Sequence, residues 1–251
     1  MQYTNVLAGK FIARPNRFIA HVEIAGHEEI VHVKNTGRCK ELLVPGATVY
    51  VQHFPEGKRK TKYDLIAVEK VLTGLINATD ESVRVVHSKA DEKNTLLINM
   101  DSQAPNKVVQ EWLVAKEPFG KITYLKPECK HGDSRFDFYL ETATKKVFIE
   151  VKGVTLEENG VAMFPDAPTE RGVKHVQELC HCLEEGYEAA IIFVVQMSSM
   201  RYFTPNRCTH LAFVEALERA EACSVHILAL SCAVTPDSLA INGEIPIHLA
   251  G

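Results

Sequence analysis

Two apolar segments of the sequence carry charged side chains at positions that a β-sheet would bury. The first, residues 135–140, contains Asp137, and the second, residues 147–153, contains Glu150 and Lys152. Side chains alternate between the two faces of a strand, so Glu150 and Lys152 share one face. A short turn between the segments lets them pair as a hairpin, with both carboxylates beside the same lysine. Buried charges are costly unless they pair with each other or bind a cation.

This Asp…Glu-x-Lys spacing is typical of one large class of metal-dependent nucleases. Two carboxylates with open coordination positions suit Mg²⁺ or Mn²⁺, which take oxygen ligands and keep several waters. A neighbouring lysine can activate the attacking water and offset charge during phosphodiester hydrolysis. A structural ion pair has the same spacing. The pattern therefore predicts either a catalytic triad of Asp137, Glu150 and Lys152 with Mg²⁺ or Mn²⁺ as cofactor, or an ion pair inside the sheet.

The segment that follows these strands places further polar residues within reach of such a site. Arg171, Lys174, His175 and Glu178 are spaced i, i+3, i+4 and i+7, which puts them on one face of a helix. This face either presents Arg171 and Lys174 to a phosphate or is simply solvated. Asp166, in the proline-rich approach to the helix, is either a metal ligand together with Asp137 and Glu150 or a turn residue.

Three other positions have two interpretations each. Gln196 follows the apolar run 190–195 and either contacts the water at a metal site or ends the strand; we assign it to the catalytic set. Glu111 is either a further metal ligand or, as we favour, a surface charge. Cys180-His181-Cys182 resembles a metal motif, but helix neighbours one and two apart diverge by about 100° and 200° and cannot chelate one ion. We expect these cysteines to pack in the core.

The C-terminal part of the chain, residues 81–251, alternates between strand and helix patterns and predicts a mixed α/β domain. The run 190–195 is entirely apolar, which is typical of a buried central strand. Gly186 supplies a stop for the long helix before it. The expected strands are 122–125, 135–140, 147–151, 190–195 and 225–230, and the expected helices are 107–116, 169–185 and 210–222.

The N-terminal part, residues 1–80, predicts a small β-barrel. It contains five short runs rich in β-branched and aromatic residues, separated by turn residues such as Pro45-Gly46. Five closely spaced strands without a helical pattern suit a barrel of the oligonucleotide-binding (OB) type. The predicted strands are residues 6–12, 18–24, 30–33, 47–54 and 63–71. The whole chain is then an α+β protein, with an OB-like barrel followed by an α/β domain.

Charge is distributed unevenly along the chain, whose net charge is −4. Residues 1–70 hold 11 Lys and Arg against 7 Asp and Glu, a net of +4, and the remainder holds 17 against 25, a net of −8. This asymmetry suggests a basic binding module joined to an acidic domain, although a solubilising surface is the alternative. The candidate nucleic-acid contacts lie mainly in barrel turns: Arg14, Arg17, Lys34, Arg38, Lys58, Arg59, Lys60 and Lys62, joined by Arg171 and Lys174.

Composition favours an ordinary globular protein of the cytoplasm. Hydrophobic residues make up 46% and charged residues 24% of the 251 positions. No apolar run approaches the roughly 18 residues of a membrane span, and the first residues lack a signal-peptide core. The seven cysteines are irregularly spaced without a C-x-x-C pair, which argues against a disulfide framework or a zinc ribbon. We expect a cytoplasmic protein without a membrane partner.

Taken together, these motifs resemble the sugar fermentation stimulation protein family over essentially the whole chain. The matching pieces are Asn35-Thr36-Gly37, Pro45-Gly46, Asn99, Pro105-Asn106, 134–138, 150–155, 164–167, 169–172 with Lys174-His175, and 193–196. The resemblance implies an OB-type barrel, a C-terminal domain of the PD-(D/E)XK nuclease type and non-specific DNA binding. It also implies regulation of sugar metabolism, with maltose as the sugar. By position, Asp137, Glu150 and Lys152 match the nuclease-like triad.

Two functions follow from these patterns. The first is a DNA-binding protein without sequence specificity, whose C-terminal domain is nuclease-like and binds a divalent metal. The second is an active Mg²⁺- or Mn²⁺-dependent DNA phosphodiesterase that uses Asp137, Glu150 and Lys152. A nuclease scaffold can lose its chemistry, so the fold alone does not choose between them.

Overall fold

The structure is a computed structural model that describes residues 1–35, 37–55, 59–72 and 94–249. Within these ranges the chain forms a six-stranded barrel sheet, a six-stranded mixed sheet with three helices, and a small three-stranded sheet. Lys58 and the predicted domain boundary near residue 80 lie outside the described residues.

The N-terminal half closes into a barrel because its strands bury alternate residues. In β2 (Ile19–Ile24), for example, Ala20, Val22 and Ile24 are buried and the residues between them are not. Parallel pairing between the third and fifth strands closes the barrel. The predicted five-stranded barrel is confirmed, with neighbours in the order β3-β2-β1-β4-β5. Its remaining strands are β1 (Val6–Asn16), β3 (His27–Val33), β4 (Thr48–His53) and β5 (Tyr63–Val71).

A sixth strand joins the barrel sheet from beyond residue 80. β6 (Thr95–Asn99) pairs antiparallel with β5, and Ala67 lies opposite Asn99. The sequence pattern left residues 72–100 unassigned, because one short apolar run beside a polar stretch does not distinguish a strand from a connection. The pairing shows that residues 95–99 belong to the barrel sheet.

The mixed sheet of the C-terminal half has six strands, which are β7 (Tyr124–His131), β8 (Ser134–Glu141), β9 (Lys146–Val154), β12 (Glu188–Val195), β14 (His226–Thr235) and β15 (Ser238–Glu244). Their order across the sheet is β15-β14-β12-β9-β8-β7. Strands β9, β12 and β14 run parallel to one another, and β7–β8, β8–β9 and β14–β15 are antiparallel pairs.

Three helices cover the two faces of the mixed sheet, at the positions that the sequence predicts. They are α1 (Ala104–Lys116), α2 (Glu170–Glu184) and α3 (Leu211–Ala222). The longest has 15 residues, and no helix in the described ranges is long and apolar enough to cross a membrane. Thr169 begins α2 by accepting a hydrogen bond from the Gly172 amide at its side-chain oxygen.

β12 is the central strand of the core, as its apolar run predicts. Ile191 and Phe193 pack on the side of α2 and α3, together with Leu179 and Phe213. The alternate side chains, including Ile192, pack on the side of α1. Because both faces of β12 are covered, its position fixes the neighbouring strand β9 between two helix layers.

Besides β6, four strands were not expected from the sequence. They are β15, β10 (Leu156–Glu158), β11 (Val161–Phe164) and β13 (Tyr202–Pro205), the last three of which form the small sheet. Strands of three or four residues contain too few alternations to stand out in a sequence pattern. Lys70 of β5 donates at 2.5 Å to the Glu157 carboxylate, so a partly buried ion pair ties this sheet to the barrel.

Candidate functional site

The β8–β9 hairpin brings together the three residues of the predicted triad. Phe138 lies opposite Ile149 in this antiparallel pair. Asp137, one residue before Phe138, therefore lies next to Glu150, one residue after Ile149. Lys152 lies on the same face of β9 as Glu150, and its Nζ donates to Glu150 Oε1 at 2.5 Å. The expected placement of two carboxylates beside one lysine is therefore present. The catalytic roles of these residues stay predictions.

Glu150 is a buried carboxylate with unequal oxygens. Its side chain is 4% exposed. Oε1 accepts from Lys152 and also from His175 Nδ1, both at 2.5 Å. Oε2 is buried and has no hydrogen-bond partner among the described residues. One oxygen of this carboxylate is thus bonded twice within the protein, and the other has no donor among the described residues.

The two carboxylates have opposite pKa shifts. Burial raises the pKa of Asp137, and the neighbouring Glu150 charge raises it further. Burial also acts to raise the pKa of Glu150, but the hydrogen bond from His175 and the charge of Lys152 outweigh it, so that pKa is lowered. Glu150 is therefore held as a carboxylate, while Asp137 takes up a proton more readily than a free aspartate.

Asn106 holds Asp137 in place, a role that the sequence pattern did not reveal. Asn106 Nδ2 donates to Asp137 Oδ1 at 2.7 Å, and the Val151 amide donates to Oδ2 at 2.7 Å. Asn106 lies in the first turn of α1, directly after Pro105. In the sequence, Pro105-Asn106 indicates only the start of a helix. Asn106 and Asp137 are 31 positions apart, so the sequence pattern does not reveal their contact.

The polar face of α2 is turned partly inward. Arg171 Nε donates to His175 Nε2 at 3.3 Å, so the ring proton lies on Nδ1 and is donated to Glu150. His175 is 6% exposed, whereas Arg171 and Lys174 are exposed. The interpretation of this helix face as simply solvated is therefore wrong for His175, whose buried ring bonds to Glu150 and holds it in position. Arg171 and Lys174 remain accessible to a phosphate, and this contact stays a prediction.

Asp166 lies against the barrel. A methyl group on Gly37 would meet Asp166 Oδ2 at 2.8 Å, which places this exposed carboxylate beside the loop after β3. Among the residues that the structure describes, no three His, Cys, Asp or Glu side chains are grouped closely enough to hold a metal ion. Asp137, Glu150 and Asp166 therefore do not form a three-carboxylate cluster in this conformation.

Gln196 lies at the junction between the mixed sheet and the barrel sheet. Its Nε2 donates to Asn99 Oδ1 at 3.0 Å and to the Asp101 carbonyl at 3.2 Å. A methyl group on Gly153 would meet Gln196 Oε1 at 2.5 Å, so the side chain lies beside the residue that follows Lys152. The position of Gln196 agrees with both interpretations, because the residue directly follows β12 and also lies next to the site. Its catalytic role stays a prediction.

Three predicted nucleic-acid contacts, Arg14, Lys34 and Arg59, bind other groups of the protein. Arg14 donates four hydrogen bonds of 2.7–3.0 Å to the carbonyls of Arg17, Asn35, Gly37 and Arg38.

Lys34 Nζ lies 2.9 Å from Asp101 and 3.4 Å from Asp64, and both aspartates are buried. Arg59 pairs with Asp64 and covers the Phe54 ring. These partners give the three basic residues a part in holding the barrel, and Lys34, whose side chain is 16% exposed, has little surface left for a phosphate.

The other basic residues of the barrel are exposed. Lys60 and Lys62 are exposed in the turn before β5. Arg17, Arg38 and Lys40 line an open groove of about 480 Å³, which we call the barrel groove. Its wall also includes Arg14, Ile12 and Pro45, and none of the described lining residues is acidic. The barrel therefore presents a cationic surface at the predicted turns. Not all of the predicted basic residues contribute to it, because Arg14 and Lys34 are bound within the protein.

The remaining candidates lie away from the carboxylate pair. Glu111 accepts from the Met1 amino group at 2.8 Å and is 59% exposed, which agrees with a surface charge. Cys182 is buried in the core beside α3, as expected, and Cys180 is half-buried. All seven cysteines are free thiols, and burial raises the pKa of Cys182 to about 12, which keeps it protonated.

The structure defines a class of two-domain proteins, in which a closed five-stranded OB-type barrel precedes an α/β domain that carries Asp137, Glu150 and Lys152 on adjacent strands. Residues 12–77 match the SfsA N-terminal OB domain, and residues 103–238 match the sugar fermentation stimulation protein RE domain. The chain belongs to the sugar fermentation stimulation protein family.

Relatives match over almost the whole chain. The sugar fermentation stimulation protein homolog of Clostridium beijerinckii is 51% identical over 249 residues, which are 99% of this chain and 100% of that protein. The homolog of Ruminiclostridium cellulolyticum is 52% identical over the same coverage. The structure of Pyrococcus furiosus SfsA in complex with Ca²⁺ superposes with a TM-score of 0.78 at 25% identity and covers 99% of this chain and 98% of that one.

The ion pair around Glu150 leads to a stability prediction. We expect Lys152→Met to lower the free energy of unfolding by about 1–3 kcal/mol, because His175 alone would then offset the buried Glu150 charge. Glu150→Gln keeps the shape without the charge and should cost less, since Lys152 is 16% exposed and its ammonium group can reach water. Urea unfolding at neutral pH in EDTA measures both variants.

Lys146→Met is the matched control for this comparison, because Lys146 is exposed on the same strand. Its effect should stay within about 0.5 kcal/mol. A loss in Glu150→Gln as large as that in Lys152→Met would show that the Glu150 charge does not govern the stability of this sheet.

Proposed function

We propose that the protein binds DNA without sequence specificity and that its C-terminal half holds a divalent cation, Mg²⁺ or Mn²⁺, between Asp137 and Glu150. The observation that carries the cation site is Glu150 Oε2, a buried carboxylate oxygen without a hydrogen-bond donor among the described residues. Such an oxygen is unfavourable unless a hydrogen-bond donor or a cation binds it.

The residues at this position fit a hard divalent cation. Carboxylate oxygens are its preferred ligands, and a pair of them suits Mg²⁺ or Mn²⁺, which keep several waters. Each Asp137 oxygen accepts one hydrogen bond and retains a lone pair for a cation. Pyrococcus furiosus SfsA, a relative of this chain, forms a complex with Ca²⁺, which is also a hard divalent cation.

DNA is the partner that the surface charge supports. Arg17, Arg38 and Lys40 in the barrel groove, and Arg171 and Lys174 on α2, are exposed cations on a chain with a net charge of −4. Contacts to phosphates are the same for every sequence, so binding through them is not sequence-specific. The relatives' name, sugar fermentation stimulation protein homolog, agrees with a role for this DNA binding in regulating sugar metabolism.

The cation site predicts stoichiometric Mn²⁺ binding. Calorimetric titration of wild type should give one Mn²⁺ per chain, because the proposal places a single cation between the carboxylates of two adjacent strands. We expect Glu150→Gln and Asp137→Asn each to weaken binding by at least about tenfold.

Glu158→Gln removes an exposed carboxylate on β10 and serves as the control, which should bind Mn²⁺ like wild type. Asp166→Asn, in the same experiment, decides whether that residue is a further ligand. If wild type binds no Mn²⁺ even with DNA present, the carboxylates form a structural ion pair and the cation proposal is wrong.

The DNA-binding proposal predicts a strong dependence on salt. Fluorescence anisotropy with three unrelated DNA sequences should give affinities within about threefold of each other, and log K should fall linearly with log salt concentration. The slope reports the number of phosphates neutralised, at about 0.7 to 0.9 per contact. No binding at low salt would contradict DNA as the partner, and a large preference for one sequence would contradict phosphate-based recognition.

A second candidate function, phosphodiester hydrolysis, is favoured by Lys152. A bound divalent cation stabilises negative charge on the phosphoryl oxygens. Lys152 Nζ lies beside the same carboxylate and adds a positive charge where the phosphodiester would react. Asn106 and the Val151 amide hold Asp137 rigidly, and His175 holds Glu150. Such fixed positions are what a catalytic group requires.

Hydrolysis would be visible as Mn²⁺- or Mg²⁺-dependent cleavage of single-stranded or double-stranded DNA. We expect Lys152→Ala to lower the rate by at least about 100-fold while Mn²⁺ binding remains. Lys146→Ala, which removes an exposed lysine from the same strand, should cleave like wild type. Intact DNA with every divalent metal tried would leave binding without hydrolysis as the function.

A further inference from the structure

The barrel groove combines two kinds of surface that a phosphate site alone does not need. Three exposed cations, Arg17, Arg38 and Lys40, line it, and none of the three forms an ion pair among the described residues. The same wall includes the apolar side chains of Ile12 and Pro45. Ile12 is 36% exposed, because it lies on the face of β1 that is turned away from the barrel core.

We infer that the barrel groove binds a single strand of DNA, with phosphates on the cations and an unpaired base against the apolar wall. The inference rests on the proposed DNA binding and names the form of DNA that this groove takes. Charge complementarity supplies the phosphate contacts. The apolar wall supplies a surface for a base face, which every base has whatever its sequence.

A duplex does not match this combination of surfaces. In a double helix the base faces are stacked on one another, and only phosphates, sugars and base edges reach the outside. A duplex could contact Arg38 and Lys40, but Ile12 and Pro45 would then lie against a polar backbone. An unpaired base covers the apolar wall and allows its phosphates to remain on the cations.

Phe18 provides a second surface for an unpaired base. It follows Asn16 and Arg17, both of which line the groove, and its side chain is 46% exposed. The Arg17 guanidinium lies 4.9 Å from the centroid of the Phe18 ring. An exposed aromatic ring beside a cation is the arrangement on which single-stranded bases stack.

Arg14 builds the groove rather than contacting the strand. Its two terminal nitrogens donate to four carbonyls, which belong to the loop after β3 and to the turn that carries Arg17. These bonds fix the backbone of Arg38 relative to the backbone of Arg17. A lysine has one nitrogen in place of the two and cannot make the same four bonds. Arg14 is therefore a positioning residue of the groove.

The test compares one fluorescein-labelled 12-nucleotide DNA with its own duplex and with RNA of the same sequence. Full-length protein is titrated by fluorescence anisotropy in EDTA, which prevents cleavage. We expect the single-stranded DNA to bind at least about tenfold more tightly than the duplex, and RNA to bind no more tightly than single-stranded DNA.

Four variants separate the base surface from the phosphate surface. Phe18→Ala and Ile12→Ser should weaken single-strand binding by roughly three- to tenfold and leave duplex binding within about twofold. Arg38→Gln and Lys40→Gln should each lower the salt slope for the single strand by about 0.7. Lys126→Gln, at an exposed lysine on β7, is the control and should change neither quantity.

These side chains are exposed, so the variants should remain folded, and circular dichroism verifies this. Photocrosslinking of wild type to a 5-iodouracil strand is an independent measurement, which should label the β1–β2 segment that contains Ile12 and Phe18.

Equal binding of duplex and single strand, with no effect of Phe18→Ala or Ile12→Ser, overturns the inference but leaves DNA binding in place. An equal effect of Lys126→Gln, or crosslinks confined to the C-terminal half, also overturns it. RNA binding more than tenfold tighter than DNA overturns DNA as the ligand of the groove. No binding of any nucleic acid at low salt means that the proposed function itself has failed.

Discussion

Glu150 carries its carboxylate into the interior of the mixed sheet, where a negative charge is stable only if neighbouring groups supply positive charge and hydrogen bonds. Lys152 supplies a positive charge and a hydrogen bond from the same strand, and His175 supplies a hydrogen bond from α2, so one oxygen is bonded twice. The His175 hydrogen bond joins α2 to β9 at this point. The other oxygen has no donor among the described residues, and the proposed chemistry depends on it.

Features that depend on local periodicity were predictable from the sequence. The barrel strands and the central strand β12 follow from alternating or continuous apolar residues, whose pattern each strand contains by itself. The placement of Glu150 beside Lys152 follows from the two-residue repeat of a strand, and Asp137 joins them because a short turn allows little freedom in pairing. For these residues the backbone geometry alone determines the neighbours.

Features that depend on distant partners were not predictable. Asn106 reaches Asp137 across 31 positions, and His175 reaches Glu150 across 25. A single sequence contains no signal for such contacts. The same limit explains why Arg14 and Lys34 resembled free basic residues. Their carbonyl and aspartate partners are brought near only by the closed barrel, and a positive side chain in a turn looks the same in sequence whether its donors are occupied or free.

The segment formed by β6 and Asp101 serves both halves of the molecule. β6 completes the barrel sheet, Asp101 accepts from Lys34, and Asn99 accepts from Gln196 at the end of β12. Recombination that exchanged either half for an unrelated module would leave this shared segment without half of its partners. The two halves should therefore be inherited as one unit, and the match of relatives over 99% of the chain agrees with such joint descent.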